Sequence, residues 1–177
     1  MTDKHKHLAR DCPETRFEDP FGWFSVQCET KRTMADCLDR LAKALDYLPD
    51  DTARVVIWLK TDMGLAVEDE SHDFFPMLRI RAHKNDDFEG VLLKLANGHS
   101  AQQHLSRLIL PRLEALAQIG HPATMERDLT TSMNDLAIRL RLHASALSAI
   151  VMPIARLRLK PSDLSMLTRS MTQRRSK

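Results

Sequence analysis

Arg54-Val55-Val56-Ile57-Trp58-Leu59-Lys60 is the stretch on which the fold class turns. Its apolar run is bounded by charges and begins with three β-branched residues, so it reads as a buried strand of ordinary length. Pro49-Asp50-Asp51 precedes it as a breaker, and Thr61-Asp62-Met63-Gly64 follows as a turn. Working outward, Met34, Cys37, Leu38, Leu41, Ala42, Leu45 and Leu48 recur at helical spacing, which predicts an amphipathic helix before the strand. Trp23 to Glu29 alternates as a short strand would, Leu65 to Val67 offers another, and Met77 to Ala82 alternates again around Leu78-Arg79-Ile80-Arg81. Glu68 to Asp73 reads as a solvated acidic loop. The expectation is a helix-rich α+β fold, with a small α/β unit at the N-terminal side.

Beyond Asp86 the spacing is helical. Phe88, Val91, Leu92 and Leu95 share one face, Asn97-Gly98 reads as a stop, and Ser100 as the cap of a further helix. That helix carries the stripe Leu105, Leu108, Ile109, Leu113 and Leu116, with Pro111 expected to kink it. The stripe offers either an intrachain face or the contact of a homodimer. These readings divide the chain into an arm over 1–20, an α+β body over 21–98 and a helical region over 99–177 with a basic C-terminal module. No period of 20 to 50 residues is visible.

Composition favours helices, since the 177 residues include only 5 Gly and are 5% aromatic. No apolar run approaches the roughly 18 to 20 residues of a membrane span, and Met1 to Arg10 is charged, so a cytoplasmic protein without membrane contact is expected. Cys12, Cys28 and Cys37 lack the close spacing of a metal or redox pair. The eight His residues are scattered. His99 and His104 are five apart, not the four that places two zinc ligands on one helical face. With no phosphate loop, Gly-rich dinucleotide turn or nucleophile elbow, the sequence predicts no metal, no cofactor and no enzyme.

Charge carries the functional expectation. Residues 139–177 hold nine Lys and Arg against one acid, a net +8, whereas residues 1–138 hold 17 against 23, a net −6. A basic end on an acidic body points to an anionic partner. Within it, Leu136, Ala137, Leu140, Leu142, Leu147, Ser148 and Ile150 stand at the packing positions of two crossing helices. Residues 133–152 thereby resemble the helix-turn-helix segment of DNA-binding proteins, with Arg141 where the turn usually has Gly.

That resemblance implies a DNA-binding regulator or accessory protein. Its second helix would present His143, Ala144, Ser145, Ser148, Ala149 and Met152, which include no Arg, Asn or Gln to read base edges. Contact would therefore rest on phosphates, through Arg139, Arg141, Arg156, Arg158 and Lys160, with Ser145 and Ser148 toward the groove. A buried core helix over Ala144 to Ala155 is the other reading of the same residues. The competing function is a protein-binding adaptor, secretion chaperone or inhibitor, acting on a protein partner through the acidic body.

Overall fold

The computed structural model describes residues 18–44, 47–119 and 127–176; the arm expected over 1–20 lies almost wholly outside them. Among the described residues there is no strand. The chain forms α1 (Pro20–Lys43), α2 (Pro49–Lys60), α3 (Asp62–Glu68), a π-helical segment (Asp69–Phe74), α4 (Phe75–Arg81), a short 3-10 turn (Lys84–Asp86) and α5 (Glu89–Ile119). α6 (Arg127–Ala146), a second π-helical segment (Leu147–Val151), α7 (Met152–Arg158) and α8 (Pro161–Arg175) complete it. The all-helical fold corrects the expected α+β class and its N-terminal α/β unit.

Each expected strand fails for one reason: its burial follows a period of 3.6, not 2. In 54–60, Val55, Trp58 and Leu59 are buried while Ile57 is 60% exposed. Pro49-Asp50-Asp51 is the start of α2 and no breaker. Proline at the first helical position gives up an N–H that has no helical partner, and the two acids meet the positive helix end. Trp23 to Glu29 lies inside α1, where Trp23, Phe24, Gln27 and Cys28 are buried and Ser25 and Val26 are exposed. Leu65 to Val67 belongs to α3. In α4, Leu78 is buried and Ile80 is 78% exposed. β-branched preference spans only about 1 kcal/mol on a strand scale, so burial of a continuous helical face outweighs it here.

α5 continues through Asn97-Gly98, Ser100 and Pro111, so the expected boundary at residues 98 and 99 falls inside one helix. Ile109 and Leu113 of its apolar stripe are fully buried within the chain. Residues 133–152 are likewise continuous helix, and α6 passes through Arg141 without a turn. The stretch Arg127–Arg158 is long and apolar enough to cross a membrane by length and composition, with 39% of its most apolar window buried in the protein.

α1 packs on α2 and α6, and α5 packs on the same two, which makes a four-helix bundle with α8 laid across the first π-helical segment. Its apolar interior has two clusters. One gathers Phe24, Phe74, Leu78, Leu92, Leu147 and Leu167. The other gathers Leu38, Trp58, Ile109, Leu113, Met133 and Leu140.

The second and fourth arms of the bundle repeat one design. Pro76, Arg79, Arg81 and Asp86 recur as Pro153, Arg156, Arg158 and Asp163, each 77 residues on. Both prolines follow a π-helical segment. A proline ring clashes with the carbonyl four residues back, and a widened turn before it relieves that clash. The ion pairs are reciprocal. Arg81 donates Nε and Nη2 to Asp163 at 2.9 and 2.7 Å. Arg158 donates the same atoms to Asp86 at 2.9 and 2.5 Å.

Each aspartate also accepts the backbone N–H that opens its own turn, from His83 at 2.8 Å and from Lys160 at 2.9 Å. Arg158 first, then the His83 N–H, hold the Asp86 carboxyl down at about 2. Because the folded value lies below the unfolded one of about 3.9, this contribution is complete above pH 4 and is lost as pH falls toward 2. Arg158→Ala is expected to raise the Asp86 midpoint, read by carboxyl NMR titration.

Candidate functional site: a buried Lys-Glu-His-His cluster

Between the two apolar clusters lies a polar layer. Lys31 sits on α1 between Cys28 and Met34, and His143 on α6 between Leu140 and Ala144, each flanked by one residue of either cluster. Glu70 enters from the first π-helical segment and His99 from α5. All four side chains are at most 4% exposed. Lys31 Nζ donates to Glu70 Oε1. His99 Nε2 and His143 Nε2 both approach Glu70 Oε2, at 2.9 and 2.6 Å. The two imidazoles lie 4.9 Å apart by ring centroids.

Burial pushes the Glu70 carboxyl up, but His143, Lys31 and the hydrogen bond from His99 outweigh it and hold Glu70 well below the usual carboxylate range. Glu70 is therefore the anion of the cluster and Lys31 its cation. Burial pushes His143 down despite the Glu70 carboxylate beside it. His99 is fixed from behind, with Ser71 Oγ 2.9 Å from its Nδ1 and the Phe75 ring stacked on it at 5.9 Å. A partner on the remote nitrogen aims the other nitrogen inward, as it does in imidazoles that ligate metals.

Three potential ligand atoms, one each from Glu70, His99 and His143, lie within 4.8 Å of one another. Cys28 lines the same side of α1, yet burial pushes its thiol up to about 11 and Lys31 only partly offsets this, so it is not a thiolate at neutral pH. The 77-residue repeat does not extend to the polar layer. The positions equivalent to Glu70 and His143 are Leu147 and Ala66, both buried and apolar.

A second ionic group supports the first. Asp69, fully buried, accepts Trp23 Nε1 at 3.2 Å and Arg175 Nη2 at 2.6 Å, and is also paired with Arg174. Arg174 reaches Asp73 at 2.6 Å and Glu68 at 3.1 Å as well. The C-terminal helix thus closes over the acidic segment 68–73, which the sequence reads as a solvated loop.

The residues expected to contact DNA are dispersed. Arg141 pairs with Asp36 and Asp39 at 2.6 and 2.7 Å, and Arg158 with Asp86. Arg156 lies over the Phe21 ring at 4.8 Å. Ser148 Oγ donates to the Ala144 carbonyl at 2.7 Å and accepts from Arg32 at 2.9 Å. Arg139, Ser145 and Lys160 are exposed. Much of the charge split is thus satisfied within the chain.

Sequence reasoning misses Glu70, His99, His143 and Lys31 as a group because they stand on four separate helices. The signal available is Glu70 six residues before Pro76, in the segment taken for a loop. Comparison with protein-family models, curated proteins and solved structures finds no match to this chain.

Proposed function

We propose that the chain binds a divalent transition-metal ion in its core, with Glu70, His99 and His143 as ligands. The observation that carries this reading is the convergence of three buried ligand atoms from three helices within 4.8 Å. Two imidazoles and one carboxylate suit zinc, iron, cobalt or nickel over calcium or magnesium, which prefer all-oxygen shells. Three protein ligands leave a coordination position open, as in reactive zinc sites and unlike closed structural ones. The same reading departs from the expectation that the chain holds no metal.

Lys31 sets the condition for binding. Its ammonium already neutralises Glu70, so a divalent ion and the ammonium compete for one carboxylate in a layer with little water to screen them. Equilibrium dialysis of Zn2+ against the full chain is expected to give one bound equivalent. Glu70→Gln and His143→Ala should abolish it, and His104→Ala, on the exposed side of α5, should not. Zinc uptake unchanged by Glu70→Gln and His143→Ala would reduce the cluster to an internal ion pair.

Phosphate contact by the C-terminal region is a second proposal, favoured by the exposure of Arg139, Arg156 and Lys160. Its test is duplex binding that falls with salt and is lost when these three are changed to Ala.

A further inference from the structure

Beside the polar layer, α5 and α6 enclose a groove of about 420 Å3, within the range of small-molecule sites. It exists because the two facing surfaces are small at their centre. Gly98 on α5 and Ala146 on α6 leave room where larger residues would meet, and a Cβ built on Gly98 approaches nothing nearer than Gln102 Nε2 at 3.9 Å. The His99–His143 contact fixes the register of the two helices. In an antiparallel pair this puts Gln102 beside Arg139 at one end, and Val91 and Lys94 beside Ile150 at the other.

The two ends differ in chemistry. At the Arg139 end are an exposed guanidinium and two buried polar residues, Gln102 and His143, whose Oε1 and Nδ1 have no hydrogen-bond partner among the described residues. From there toward Ile150 the lining is apolar through Leu95, Gly98 and Ala146, with the exposed Lys94 at the far end and Leu142 forming a lip that is 65% exposed. A buried acceptor without a donor is unfavourable.

We propose that the groove binds a single-chain acyl carboxylate with a hydrogen-bond donor next to the carboxylate, of the N-acyl amino acid class. The carboxylate pairs with Arg139. The amide N–H meets Gln102 Oε1, which a rotation of that side chain turns into the groove, and the acyl chain lies between Gly98 and Ala146 toward Ile150. The groove shares only His143 with the proposed metal ligands, since neither Glu70 nor His99 lines it, so the two readings are tested separately.

The probe is N-octanoylglycine, titrated calorimetrically into the full chain with a chelator present, so that no metal takes part. One equivalent is expected to bind. The methyl ester, which lacks the charge, and N-octanoylsarcosine, which lacks the N–H, should each bind at least about tenfold more weakly, the loss of one good hydrogen bond or ion pair. Arg139→Ala should remove the preference for the acid over the ester. Gly98→Leu should fill the groove and abolish binding while keeping the helical circular dichroism, since leucine favours helix over glycine.

No binding of N-octanoylglycine would overturn the proposal. So would equal binding of the acid and the ester, or binding that survives Gly98→Leu, because either shows adsorption to exposed leucines.

Discussion

Lys31→Met is expected to lower folding stability by about 3–5 kcal/mol in metal-free buffer, since it leaves the Glu70 carboxylate buried without its cation. Urea denaturation read by circular dichroism measures this. Changing Glu70 to Gln in the same chain should recover most of the loss, because the penalty belongs to the unpaired charge and not to the missing contact. Zn2+ should also recover it. In Lys31→Met the ion meets no competing ammonium, so the variant should bind zinc more tightly than wild type and be stabilised by more at the same free concentration. Stability loss without zinc rescue would leave the cluster an ion-pair network alone.

Asp69→Ala carries the second large effect. The fully buried carboxylate holds the Trp23 indole and the Arg174 and Arg175 guanidinium groups, which are themselves only 18% and 17% exposed. Removing it leaves three donors facing a hole and is expected to cost about 2–4 kcal/mol. The loss is directional. α8 should loosen from the segment 68–73, so limited proteolysis should remove the C-terminal residues first, and Trp23 fluorescence should shift to the red as water reaches the ring. A variant that melts lower but keeps α8 protected would show that the arginines hold through Asp73 and Glu68 instead.

The helical character of the second half was legible from period alone, because Leu105 to Leu116 and Leu136 to Ile150 repeat at turns of a helix. The first half was not. In Val55 to Leu59 and in Leu78 to Arg81, short apolar runs fit both periods, and the choice depends on which residues meet the bundle interior. Pro49 misled in the same way, since it was read as a breaker and opens α2, whereas Pro111 lies inside a helix as expected. Pro49 and Pro161 open helices, while Pro76, Pro111 and Pro153 lie within helical arms, two of them just past a π-helical turn that absorbs the ring.

The site was hidden more deeply than the fold. Glu68 to Asp73 has the composition of a solvated loop, yet Asp69 is buried under the arginines of α8 and Glu70 turns inward to Lys31, His99 and His143 of α1, α5 and α6. The charge split was read as the mark of an anionic partner, yet its visible consequence among the described residues is internal. Arg141, Arg158, Arg174 and Arg175 reach back to Asp36, Asp86 and Asp69 over more than 70 residues of chain. Residue spacing carries no information about such pairs.

Absorption spectroscopy of the full chain titrated with Co2+ tests the metal centre most directly. The expected result is a set of visible d–d bands that grow to one equivalent, are stronger in Lys31→Met at low cobalt, and vanish in His99→Ala and His143→Ala. A spectrum that stays that of aqueous cobalt in both wild type and Lys31→Met would contradict the account.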